Sequence, residues 1–172
     1  GADVNAKDFM GRTALMTACA EGNEMMVTQL LEAGADVNAK DSEGKTAYDY
    51  AVDKGYDCEV DVWVIEDKIW LGHDEPTYEV TANFISNPAF WNHAKNLEAL
   101  HFMLRNNIHC FWHEQDERTL TSRGYIWTYP YKQVTNMSVI CLQQEQDTIP
   151  KGCYGICSDW VSKYENTFLS KP

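Results

Sequence analysis

The 172-residue sequence carries 26 acidic and 14 basic residues, a formal net charge of −12. Such a chain lacks the basic surface needed to track a nucleic-acid backbone, and it cannot dock on an anionic membrane by charge alone. No apolar run approaches the roughly 20 residues of a membrane span and no secretory leader is visible; the length suffices for one domain or two small ones.

Six cysteines, Cys19, Cys58, Cys110, Cys141, Cys153 and Cys157, form no paired C-x2-C array. They read as buried or half-buried reduced thiols, which points to a reducing, cytoplasmic setting.

Along the chain, the octapeptide Gly1-Ala-Asp-Val-Asn-Ala-Lys-Asp8 returns unchanged at Gly34 to Asp41. Gly11-Arg-Thr-Ala-Leu15 is echoed at Gly44-Lys-Thr-Ala-Tyr48 with the same spacing. Thr13 to Ala20 reads as a short helix with Ala14, Leu15, Ala18 and Cys19 inward. Asn23 can cap a second helix, whose inner face is Met26, Val27, Leu30 and Leu31. Gly34 ends it where a left-handed backbone is wanted, and Asp36 to Asp41 forms the turn to the next repeat.

This period and the G-x-T-A-L stretch resemble the ankyrin family, whose repeat is a turn plus two antiparallel helices. The resemblance covers about residues 1–55: fewer than two full repeats, with a partial third over Thr46 to Gly55. About three repeats are needed to bury a continuous core, so the array is expected to continue upstream or to pack against the C-terminal part of the chain. The resemblance implies a protein partner; a bare stabilising cap is the other reading.

At Cys58 to Ile65 the period changes from helical to alternating. Val60, Val62 and Val64 share one face of the strand; Glu59, Asp61 and Trp63 share the other. The preceding helix, Tyr48 to Lys54, can therefore serve both halves. Further candidate strands are Lys68–Leu71, Phe90–Ala94, Ile108–Trp112, Tyr125–Thr128, Val139–Leu142 and Tyr154–Cys157. Candidate helices are Ala82–Ser86, Leu97–Arg105 and Asp159–Tyr164. Asn96 can cap the Leu97 helix, with Leu97, Leu100, His101 and Leu104 inward. The alternation favours a parallel α/β barrel over an open sheet.

Glu59-Val-Asp61 followed by Leu71-Gly-His-Asp-Glu75 resembles the E-x-D…H-D block of the glycerophosphodiester phosphodiesterases. These are related to phosphatidylinositol-specific phospholipases C and spider-venom-type phospholipases D, all TIM-type barrels. His93-Ala-Lys95 stands where that family has an acidic residue, a spacer and lysine. Tyr125-Ile-Trp-Thr128 and Tyr154-Gly-Ile-Cys-Ser-Asp159 resemble its late strands. The expected class is thus α + α/β: a short ankyrin helical array over 1–55, then an abbreviated (β/α) TIM-type barrel over 56–172 that lacks its first strand. No H-R-G, the family's opening catalytic strand, occurs in the sequence.

Two carboxylates two apart on a strand point the same way, so Glu59 and Asp61 could share Mg2+ or Ca2+ at a barrel mouth. His93 replaces the usual acidic ligand and could ligate through imidazole; Mg2+ and Ca2+ prefer oxygen, so the replacement either weakens the case for a metal or shifts the preferred metal. The resemblance implies that His73 is a catalytic acid or base and that Lys95 contacts phosphate or holds Glu59. His113, with Glu114 and Asp116, follows a strand end and is an alternative base. Trp127 walls the substrate pocket or packs in the core. The implied activity is a metal-dependent phosphoric diester hydrolase for a small phosphodiester or lipid headgroup, impaired here. The alternative is a non-catalytic ankyrin-containing interaction module.

Overall fold

The computed structural model describes residues 2–144, 146–161 and 163–164. Two compact units divide it: one from the N-terminus to Tyr56 with the stretch from Asp159 onward, the other Asp57–Ser158. The expected Asp159–Tyr164 helix lies partly outside the described residues.

The first unit contains helices α1 (Ala14–Glu21), α2 (Glu24–Glu32) and α3 (Ala47–Asp53). Thr13 and Thr46 cap α1 and α3, and Asn23 caps α2 through Met26 N at 3.1 Å. Such oxygens satisfy backbone N–H groups that a helix start leaves open. After α2, Gly34 takes φ 86°, and Ala35 N reaches back to Leu30 O at 2.9 Å. This left-handed exit satisfies the last carbonyls and turns the chain.

The turns repeat as the sequence does. Asp8 Oδ1 accepts from Met10 N and Arg12 N, and Asp41 Oδ1 accepts from Glu43 N and Lys45 N. Lys7 Nζ to Lys40 O at 2.8 Å and Ser42 N to Met10 O at 3.0 Å tie one turn to the next.

Leu15, Met16, Ala35 and Ala47 form the core, with Val27, Leu30 and Tyr50 packed on it. Two expected inner faces are corrected here. Ala14 faces solvent while Met16 is buried, and Met26 and Leu31 are exposed. Helical spacing admits several phases, and the one that buries the bulkier Leu15–Met16 pair against small residues of the next repeat is adopted.

The second unit holds β1 (Cys58–Ile65), β2 (Lys68–Leu71), β3 (Tyr78–Val80), α4 (Ala82–Ile85), β4 (Phe90–Ala94), α5 (Leu97–Arg105), β5 (Cys110–Phe111), β6 (Arg118–Leu120), β7 (Ile126–Thr128), β8 (Ser138–Leu142) and β9 (Gly155–Ser158). Glu66 and Asp67, both at positive φ, make the two-residue turn between β1 and β2, a geometry that matches strand twist. The strands form a five-stranded sheet in the order β3-β2-β1-β4-β5 and a four-stranded sheet in the order β6-β7-β8-β9. Within them β1, β4 and β5 run parallel, as do β7, β8 and β9. Helices and sheets are mixed as expected, but the ladders among the described residues do not close into one ring. Links between the β5 region and that of the second sheet include Ser122 N to Cys110 O at 2.8 Å, Cys110 N to Ser122 Oγ at 3.0 Å and Thr119 Oγ1 to Trp112 O at 2.7 Å.

Strand alternation creates two cores. Val62, Val64, Ala94, Ile108 and Cys110 face Ile85 of α4 and Ala99 and Met103 of α5. On the opposite face Trp91, Phe111, Trp127 and Val139 pack together. The expected inner face of α5 is also corrected. Leu97, His101 and Leu104 are exposed, and Ala99 and Met103 are buried with Leu100 and Phe102 beside them. Asn96 fixes this phase: its side chain accepts from Ala99 N at 3.0 Å and donates to Val64 O at 2.8 Å, clamping the helix start to β1.

Candidate functional site

The parallel register of β1 and β4 sets Asp61 opposite His93 and Glu59 opposite Trp91. Odd-numbered residues of both strands share the face that carries Trp91 and Phe111, so Glu59, Asp61, His93 and Lys95 stand together above that aromatic floor. Three cationic or imidazole groups converge on the Asp61 carboxylate. His93 Nδ1 lies 2.7 Å from Oδ1, Lys95 Nζ 3.4 Å from Oδ1, and His73 Nδ1 2.5 Å from Oδ2.

His73 comes from the turn after β2. Gly72 makes this possible: at φ 151°, a Cβ there would sit 2.0 Å from the Glu75 carbonyl oxygen. Trp63 Nε1 donates to Gly72 O at 2.7 Å and Gly72 N to Asp61 O at 3.2 Å, which holds the turn over β1. The His73 side chain is 79% exposed.

Glu59 is the contrasting carboxylate. Its Oε1 is 3.8 Å from His93 Nδ1, beyond hydrogen-bond reach, and no donor among the described residues serves it. Protein crowds around it, yet 30% of the side chain still meets solvent through the open side of the site. Burial first, and the charge of Asp61 second, push its carboxyl above the usual range; Lys95 partly opposes this. Burial would raise Asp61 as well, but the hydrogen bonds from His93 and His73 and the charge of Lys95 outweigh it and hold Asp61 low. One face thus carries a carboxylate held by protein donors and one left to solvent.

Glu59, Asp61 and His93 offer ligand atoms that all lie within 4.8 Å of one another. Oxygen ligands of a divalent ion sit roughly 3–4 Å apart, so small side-chain adjustments suffice to close three donors on a cation. The donor set, two carboxylates and an imidazole, fits a divalent ion.

His113 lies beyond His93, their rings parallel at 4.3 Å with a 3° interplanar angle. Burial, then the charge of His93, lowers its pKa and favours the neutral ring. Tyr129 Oη is 3.0 Å from His113 Nδ1. Tyr129 escaped the sequence reading, and its only signal was alternation: it lies two residues beyond Trp127, on the same face. Trp127 is 5% exposed and stacks on Phe111 at 4.5 Å, so it belongs to the floor and not to an open pocket wall. Glu114 and Asp116 are exposed and do not join the cluster. Trp91 is steadied by Asp57, which accepts its Nε1–H at 3.0 Å, another contact unforeseen from sequence.

Comparison with known proteins adds one result on the first unit. Residues 1–61 match the family model described as ankyrin repeats (3 copies). The match runs into β1 as far as Asp61, although the chain there is a strand and not a further helix. The match supports reading this part of the chain as a protein-interaction module. No curated protein matches the chain.

Proposed function

We propose that residues 57–158 hold a divalent cation between Glu59, Asp61 and His93 and use it to engage a phosphoric diester, a small glycerophosphodiester or a phospholipid headgroup. The observation that carries this reading is the convergence of His73, His93 and Lys95 on Asp61 beside Glu59, whose carboxylate has no protein donor among the described residues. The two parallel runs around one aromatic core are consistent with the wall of an abbreviated TIM-type barrel, the fold that the E-x-D…H-D resemblance implies.

When bound, the ion, Mg2+ or Ca2+ by resemblance, supplies positive charge against phosphate oxygens. Lys95 adds a second positive charge at the same carboxylate. Exposed His73, oriented by Asp61, is the candidate to pass a proton to a leaving oxygen. His113, neutral and tied to Tyr129, is a candidate to accept one. With no H-R-G strand, turnover is expected to be slow or absent, and metal-dependent binding is the property to test.

Glycerophosphocholine added to the full chain with Mg2+ or Ca2+, followed by 31P NMR, should show metal-dependent broadening that Asp61→Asn abolishes, with hydrolysis near background. Broadening that needs no metal, or that survives Asp61→Asn, would remove the reading. Robust turnover lost on His73→Ala would keep the site and overturn the expectation of weak catalysis. The second reading is interaction through the ankyrin repeats with no catalysis at all; the family match over residues 1–61 supports its interaction part, and it predicts no metal-dependent diester binding.

A further inference from the structure

We infer that the cation preferred by this site is a late first-row divalent ion, such as Fe2+, Co2+ or Zn2+, in place of Mg2+ or Ca2+, because His93 is built in as a fixed nitrogen ligand. The inference rests on the reading that Glu59, Asp61 and His93 share a cation.

The ring's two nitrogens have separate tasks. His93 Nε2 lies 3.4 Å from the backbone oxygen of His113. A carbonyl only accepts, so Nε2–H is set to donate to it; Nδ1, which donates to the Asp61 carboxylate at 2.7 Å and lies 3.8 Å from Glu59, would give up that hydrogen to bind a cation. A carbonyl behind a metal-facing imidazole fixes ring orientation and tautomer, the usual outer-shell support of such a ligand.

The ring also has little freedom to leave. It is buried, parallel to Phe111 at 5.1 Å on one pairing and to His113 at 4.3 Å on the other, and Phe111 is itself stacked on Trp127. Swinging His93 out would open an aromatic stack.

Replacement oxygens are scarce. The next residue on that face, just past the end of β4, is Lys95, a cation, and no third acidic side chain joins the group among the described residues. Hard Mg2+ and Ca2+ want about six to eight oxygens, which water would have to supply here. Imidazole plus carboxylates with an open position suits ions that bind nitrogen well and accept low coordination numbers.

The test uses the full chain and Co2+ as probe. Its visible absorption reports nitrogen and oxygen ligation, and thiolate charge-transfer bands reveal capture by any of the six cysteines. One Co2+ is expected to bind without such bands, to yield to Zn2+, and to resist about a hundredfold excess of Mg2+ or Ca2+. His93→Asp, an all-oxygen set, should lower the Mg2+ excess needed for displacement by about tenfold or more. Glu59→Gln should weaken both ions alike and leave their ratio unchanged. If Mg2+ or Ca2+ displaces Co2+ at near-equal concentration, or His93→Asp folds and leaves the ratio unchanged, the inference is overturned while the site itself stands. If no divalent ion binds, the underlying reading falls with it. Should His93→Asp fail to fold, the native displacement ratio still decides.

Discussion

At the residue scale, the site turns on two carboxylates that the same strand presents to different surroundings. Glu59 holds its proton more tightly in the folded chain than in the unfolded one. The stability this lends is complete below about pH 4.3, the unfolded value, and is lost as the pH climbs through the folded value of about 8. Asp61 behaves oppositely: its contribution is full above about pH 3.9 and is lost as the pH falls through its lowered folded value. In metal-free buffer, Glu59→Gln should therefore flatten the decline in unfolding free energy between about pH 5 and pH 8. Urea unfolding at both pH values measures this, and an unchanged decline would count against a raised Glu59 carboxyl. Solvent at its open side keeps the effect modest. Glu59, Asp61, His93 and Lys95 were legible because alternation fixes which strand residues share a face. His73 was legible only through the H-D pair, since its place over Asp61 depends on a tight turn at Gly72. Tyr129 and Asp57 were not, because their partners lie far away in sequence.

At the scale of elements, long alternating or capped segments declared themselves and short edges did not. β1, β2, β4 and α5 were read with the bounds they have. The strands β3 and β6 have three residues each, too few to establish a period, and both are outer strands paired on one side. The rotation of α5 was misread because two registers satisfy helical spacing, and only the clamp of Asn96 on β1 selects between them. Met103→Ala, at a fully buried position, should cost about 2–5 kcal/mol. Leu104→Ala, at a 53% exposed one, should cost less than about 0.5 kcal/mol. Chemical denaturation of the two variants checks the pair, and equal losses would contradict the observed face.

At the scale of the whole molecule, the change from repeat to sheet falls within a few residues. α3 ends at Asp53 and belongs to the first unit, and the next unit begins at Asp57. The period of the repeat was plain in the sequence, whereas the failure of the strands to close a ring was not, since ring closure depends on pairing between segments distant in the chain. From Asp57 to Glu79 the only lysine or arginine is Lys68, among many acids. Such a field draws cations toward Glu59 and Asp61 and opposes an anionic diester unless a cation arrives first. The most direct test of the account is calorimetric titration of the full chain and of Asp61→Asn with Co2+. It predicts one binding site per chain, absent in the variant; no binding to the native chain, or equal binding to both, would contradict it.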